Sequence, residues 1–144
     1  GKWQKTTVAV KNKVGTSSQD SSIKWRWPHS GKILKSFSLQ GSISKGVDIA
    51  GRLGDSVTCA ADGVVVYAGS GLGGYGKLVI VKHNANFLSA YGHNSKLLVR
   101  EGDKVKGGQI VAEIGSGGKD LAMLHFEIRK DGKPKAPLLF LPRR

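Results

Sequence analysis

Three short segments carry the side chains able to ligate a metal or move a proton: Ser44-Lys45-Gly46-Val47-Asp48, Tyr91-Gly92-His93 and Ala122-Met123-Leu124-His125-Phe126-Glu127-Ile128-Arg129. An aspartate with two histidines is the donor chemistry of a hydrolytic zinc centre, which needs about three N, O or S ligands and a bound water. The neighbouring residues do not complete such a centre. A serine hydroxyl, as at Ser44, is not a normal zinc ligand, and the thioether of Met123 can neither accept nor donate a proton. In the third segment, strand alternation puts Glu127 on the side opposite Phe126 and therefore with His125, where its carboxylate can orient the imidazole. His83 reads as a structural residue at a strand end, and His29, beside Pro28 in a turn, has no motif behind it.

Together these segments resemble the LytM/lysostaphin-type zinc endopeptidases, which cut peptide cross-links in bacterial cell walls. The family pattern is His-x-Gly-x-Asp, an aromatic-x-His, then His-x-His-Phe-Glu. The resemblance assigns Asp48 and His125 to metal-ligand positions and His93 to a catalytic histidine, while Ser44 stands at the first ligand and Met123 at the second catalytic histidine. Lys45 falls on a variable position and is expected to be solvent exposed. The likeness covers about Trp27 to Pro142. It includes Gly74-Tyr75-Gly76, His83, Val105-x-x-Gly108-Gln109-Ile110 and Pro137 before Leu141-Pro142. It is nearest to the NlpD-like branch, on Trp27-Pro28, Lys45-Gly46-Val47-Asp48-Ile49-Ala50, Ser89-Ala90-Tyr91-x-His93-Asn94 and Leu124-His125-Phe126-Glu127-Ile128-Arg129.

That branch is described as lacking a functional zinc site and as activating N-acetylmuramoyl-L-alanine amidases when daughter cells separate. The resemblance therefore implies a non-enzymatic domain with no catalytic residue, metal or cofactor. Its open groove, at Ser44, Asp48, Tyr75, His93, Met123 and His125, is expected to grip a segment of an amidase. Met123 would offer an adaptable apolar contact. Asp48 and His125 are also expected to hydrogen-bond each other across adjacent strands, since buried polar groups need partners, and the Tyr75 ring to cap the groove from a glycine turn. The expected location is the periplasm of a Gram-negative envelope, with any membrane anchor upstream, and the expected state is a monomer. Two other readings compete: a residually active zinc endopeptidase that recruits His93 or His83, and a structural module bound to peptidoglycan.

The elements that must hold these residues are short strands. Runs rich in β-branched and aromatic residues recur at Ile33 to Phe37, Val47 to Ala50, Ser56 to Ala60, Gly63 to Ala68, Lys77 to Lys82 and Phe87 to Tyr91. Val99, Val105, Ile110 to Ile114 and Met123 to Arg129 continue the series, and Asp131-Gly132 marks a type I′ hairpin, whose two central residues need positive φ. Lys119 to Met123 is the one candidate for a helical turn. The fold class is all-β, and the resemblance implies a LytM/lysostaphin-type barrel-sandwich of short antiparallel strands. Gly54-Asp55-Ser56-Val57 and Gly102-Asp103-Lys104-Val105 echo each other, either as a repeat within that arrangement or as a chance likeness of two hairpins. Trp25 and Trp27, at strand spacing, are expected to share a face and clamp the domain's edge.

Composition sets the outer bounds. The chain has 144 residues, enough for one domain, and 21 glycines, about twice the usual share, which suits many tight turns. Residues 1–24 read as a flexible basic and polar linker, and 25–144 as the LytM-like domain. Cys59 is the only cysteine, so no internal disulfide forms, and a buried strand position suits it. There are 23 Lys and Arg against 10 Asp and Glu, a formal charge of +13. No helix-turn-helix, zinc finger or aromatic RNA-binding signature accompanies that charge, and the basic residues are dispersed, so nucleic acid is not the expected partner. A solvated cationic surface with weak affinity for peptidoglycan or other anionic envelope polymers is.

Overall fold

A computed structural model describes residues 23–38, 45–117 and 121–144. Ten strands follow in chain order: β1 (Ile33–Lys35), β2 (Val47–Ala50), β3 (Ser56–Thr58), β4 (Gly63–Gly69), β5 (Lys77–Lys82), β6 (Phe87–Leu97), β7 (Lys104–Val105), β8 (Ile110–Ser116), β9 (Ala122–Lys130) and β10 (Lys133–Lys135). They form one antiparallel sheet in the order β1-β2-β9-β8-β6-β5-β4-β7, with β10 on β9, β3 on β8, and β9 also on β6. Among the described residues the only helical element is a 3-10 turn at Pro137–Leu139. The all-β fold expected from the strand-length runs is present. Ala122 and Met123 belong to β9, which overturns a helical turn at those two positions; residues 118–120 lie outside the described residues. The side chain of Met123 is an alternate member of the β9 pattern, and pairing with Ala50 of β2 and Gly115 of β8 holds it extended.

β9 shows why the sequence reads as it does. Leu124, Phe126 and Ile128 enter the main core with Val47, Ile49, Val81, Tyr91 and Ile114. Met123, His125, Glu127 and Arg129 therefore lie on the other face. That face is also covered: Glu127 is 0% exposed and Arg129 6%. A second apolar cluster, Tyr67, Leu78, Ile80, Leu88 and Ala90, with Leu72 and Tyr75 packed on it, buries the opposite face of β5 and β6.

The echo between the two Gly-Asp-x-Val phrases is a structural repeat. Gly54 and Gly102 take φ of 86° and 96°, a left-handed conformation that glycine adopts without a Cβ clash. In both turns the Asp carboxylate accepts the amide three residues back, Arg52 at 3.0 Å and Arg100 at 2.9 Å. Each turn then docks on the strand of the other repeat. Gly54 N–H donates to Ile114 O and Ile114 N–H to Asp55 O, while Gly102 N–H donates to Val65 O and Val65 N–H to Asp103 O. The reciprocal clasp joins β3 to β8 and β7 to β4.

The Asp131-Gly132 hairpin is present with φ of 53° and 80°, as a type I′ turn requires. Trp25 packs edge-on to His83 and Phe87, and the Trp27 indole N–H donates to Pro142 O at 2.7 Å while Arg144 stacks on its ring. The two tryptophans tie the start of the described chain to its end. The linker expected over residues 1–24 lies outside the described residues except for Ile23, which packs against the core, and Lys24. Cys59 is buried, one residue past β3.

Candidate functional site

Strand register brings the site together. β2 pairs with β9 so that Asp48 stands opposite His125, and β6 pairs with β9 so that Gly92 stands opposite the same residue. His125 Nδ1 lies 2.6 Å from Asp48 Oδ1 and its Nε2 lies 2.8 Å from Glu127 Oε2. Carboxylates only accept, so the ring donates from both nitrogens and is an imidazolium. Burial opposes that charge, but the hydrogen bonds to Asp48 and Glu127, with their negative charges, prevail and raise the His125 pKa to about 9.

Glu127 is the hub. Beyond His125 it accepts from the Tyr75 hydroxyl at 2.8 Å and from Arg129 Nε at 2.8 Å, and Arg129 Nη1 donates on to Gly132 O at 3.3 Å. Burial works to raise its pKa, and the His125 hydrogen bond and the Arg129 charge overcome that and lower it. Burial and the Glu127 charge push the Tyr75 hydroxyl up to about 12, so it remains a donor at neutral pH. The Tyr75 ring stands 5.8 Å from that of His125, over the cleft as expected.

His93 adopts φ of 66°, and its amide donates to Tyr75 O at 2.7 Å, which ties the 70–76 loop to the middle of β6. Its ring is 6.0 Å from that of His125, and burial followed by the His125 charge lowers its pKa. Asp48, Tyr75, His93, His125 and Glu127 line a shallow cleft of about 290 Å³ with Lys35 and Lys45 at its rim. Met123 is 7% exposed and does not line this cleft. A Cβ on Gly117 would fall 2.1 Å from its sulfur and 3.3 Å from His93 Cδ2, so the thioether is packed beneath that glycine beside the His93 ring. Ser44 lies outside the described residues.

The donors fit a proton better than a zinc ion. Two ligands of a tetrahedral zinc, each about 2.0 Å from the metal, stand ~3.3 Å apart. The Asp48 and His125 donor atoms are closer, at 2.6 Å, and the second His125 nitrogen faces Glu127. Among the described residues no group of three or more His, Cys, Asp or Glu side chains is arranged to hold a metal.

Glu127 beside His125 and Asp48 opposite it are where the sequence places them. Arg129 and Lys35 belong to the site without being candidates from the sequence. The signal for Arg129 was available, since 125, 127 and 129 share a strand face; Lys35 needed the β1–β2 register that sets it against Asp48. Lys45 is exposed as expected and is also part of the rim. His83 is structural: its Nδ1–H donates to Asp62 O and its Nε2 accepts from Ser89 Oγ, both at 2.7 Å. His29 accepts the Gly31 amide and donates to Asp55 at 2.9 Å.

Comparison with known proteins identifies the family. The profile of peptidase family M23 matches residues 42–137. A Pseudomonas aeruginosa protein named lipoprotein NlpD/LppB homolog is 61% identical over 120 residues, which are 83% of this chain and 40% of that protein. The Escherichia coli murein hydrolase activator NlpD is 52% identical over 120 residues, 83% of this chain and 32% of that protein. The chain thus spans less than half the length of these relatives. Among solved structures, the antimicrobial peptidase lysostaphin from Staphylococcus simulans superposes with a TM-score of 0.70 at 28% identity, covering 76% of this chain and 48% of that one.

Proposed function

Because this chain belongs to peptidase family M23, whose hydrolytic members work through zinc, we propose that it is a non-enzymatic activator of a murein hydrolase, specifically an N-acetylmuramoyl-L-alanine amidase. The observation that carries the reading is the pairing of Asp48 with His125 at 2.6 Å, with Glu127 on the other ring nitrogen. The two side chains at metal-ligand positions, Asp48 and His125, are here committed to one another. Of the two catalytic-histidine positions one is held by Met123, which is buried and whose thioether moves no proton. The name carried by the Escherichia coli relative, a murein hydrolase activator, supports the same reading.

The cleft is then a docking surface. Its floor is a hydrogen-bonded network with little freedom to rearrange, and its rim carries the Lys35 and Lys45 ammonium groups. A segment of the amidase seated there shifts the enzyme toward its open state, provided the open state binds more tightly than the closed one. A differential of about 3 kcal/mol changes the population ratio by roughly a hundredfold. Relatives named as lipoproteins support an envelope site of action, with weak peptidoglycan contact through the cationic surface.

Dye release from labelled peptidoglycan tests this with the domain alone, a periplasmic amidase alone, and both together, zinc being present throughout. Release confined to the mixture is expected. Release by the domain alone identifies an endopeptidase and refutes the proposal.

A further inference from the structure

The 3-10 turn at Pro137–Leu139 divides its neighbourhood between core and solvent. Pro137 and Leu141 are buried, and Phe140 packs on Phe87 and Trp25 with ring centroids 5.4 and 6.1 Å apart. Leu138 and Leu139 are left outside, 47% and 77% exposed, the one adjacent pair of exposed large apolar side chains among the described residues. Single exposed leucines are ordinary, whereas two side by side on a turn anchored to the core mark a surface that something else covers.

The surroundings of that pair are basic. Residues 132–144 carry Lys133, Lys135, Arg143 and Arg144 and no Asp or Glu. Lys133 and Lys135 are exposed and, two apart on β10, share a face. Beyond the turn, a shallow hollow of about 760 Å³ lies between Ile33, Leu138 and Leu141, with Lys32, Arg143 and Arg144 around it and no carboxylate side chain in its lining. Arg144 is held there by donation to His29 O and Gly31 O and by stacking on the Trp27 ring, 3.7 Å from its centroid. Asp131, the nearest acid in sequence, lies in the hairpin turn at the far end of β10. Asp55, which shares a second hollow with Arg144, already pairs with His29 at 2.9 Å.

We propose that Leu138 and Leu139, with the basic residues on either side, form a docking surface for an anionic phospholipid bilayer. The leucines enter the boundary between headgroups and acyl chains, and the long Lys and Arg side chains reach lipid phosphates around them. Two observations favour a bilayer over an acidic peptide. A peptide seated in the hollow would cover Leu138 but leave Leu139, which does not line it, in water; a bilayer takes both. A fluid bilayer also brings its charges to wherever the cations stand, so the match needs an acid-free basic surface and no particular spacing within it. The hollow shares no lining residue with the Asp48–His125 cleft, so the inference does not depend on the proposed function.

The test is flotation of the 144-residue chain with phosphatidylcholine vesicles that contain or lack phosphatidylglycerol, at about 0.15 M salt, where charge effects fade beyond ~8 Å. Binding is expected with phosphatidylglycerol and should fall more than about fivefold without it. Leu138→Ser with Leu139→Ser should weaken binding by about tenfold at unchanged net charge, and K133Q/K135Q by about tenfold. K77Q/K96Q, which removes the same charge toward the opposite end of β5 and β6 from Phe87, should cost less than about twofold. All variants keep residues 1–22 and their four lysines, so any attraction of that segment to lipid is common to them. The proposal is overturned by absence of binding, by equal binding to vesicles lacking phosphatidylglycerol, or by equal losses in the two lysine variants. A leucine variant that binds like the parent also overturns it, since diffuse attraction by net charge would then suffice. So does a parent dimer that the leucine variant dissociates, which would make the pair a contact between copies, or binding of soluble poly-glutamate with the same dependence on the leucines, the mark of an acidic protein partner.

Discussion

Glu127→Gln tests the reasoning about the site most directly, because it removes one charge while keeping the shape of the side chain. Glu127 is 0% exposed and accepts from His125, Tyr75 and Arg129, each at 2.8 Å. An amide offers one acceptor oxygen and an NH₂, so either orientation sets a donor against a donor. Arg129, 6% exposed, keeps its charge and loses its carboxylate. Removing one member of a buried ion pair costs about 3–5 kcal/mol, and the isosteric change puts this variant near the lower end, at about 3 kcal/mol. For a domain of this size that lowers the midpoint of thermal unfolding by roughly 10 °C. Urea and thermal denaturation followed by circular dichroism measure both quantities. Arg129→Met added to Glu127→Gln should recover part of the loss, giving a coupling energy of about 1–3 kcal/mol in the double-mutant cycle. A loss below about 0.5 kcal/mol for Glu127→Gln, or additivity of the two changes within that margin, would refute the account of Glu127 as a buried hub.

Other expectations are checked with the same protein. Burial holds the His83 pKa down at about 4, so between that value and about 6.5 the unfolded chain binds more protons than the folded one, and stability present above pH 6.5 is lost as the pH falls through this window. A shift of that size corresponds to ~3 kcal/mol, reduced to about 2 by the part of the ring that reaches solvent; urea midpoints of the parent and His83→Gln from pH 7 to 4 should converge. Lys35→Glu with Lys45→Glu should cut amidase stimulation by about tenfold with an unchanged unfolding midpoint, since both side chains sit at the cleft rim; full stimulation would remove the rim from the docking surface. Gly117→Ala sets a Cβ 2.1 Å from the Met123 sulfur and should cost about 1–3 kcal/mol through displacement of that side chain, measured by denaturation; Gly117→Ala with Met123→Ala should restore part of it.

Much of this protein is legible without coordinates because the relevant signals are local. Strand alternation assigns Leu124, Phe126 and Ile128 to the core and places Glu127 beside His125, and that follows from a two-residue period alone. The Asp131-Gly132 turn follows from the residue types that tolerate positive φ. The Ser44 and Met123 substitutions could be weighed from ligand and proton chemistry, and family resemblance supplied the expectation that Asp48 and His125 meet. What those residues do on meeting depends on register and packing over long separations. Asp48 and His125 are 77 positions apart, and Tyr75 and Glu127 are 52. Only the folded sheet places three donors around Glu127, buries Met123 beneath Gly117, and brings Lys35 to Asp48. The reciprocal clasp of the Gly54 and Gly102 turns is likewise a tertiary fact. Each turn is local in sequence, but the strand that satisfies it belongs to the other repeat, because an isolated turn cannot supply partners for its own outward-facing amides and carbonyls.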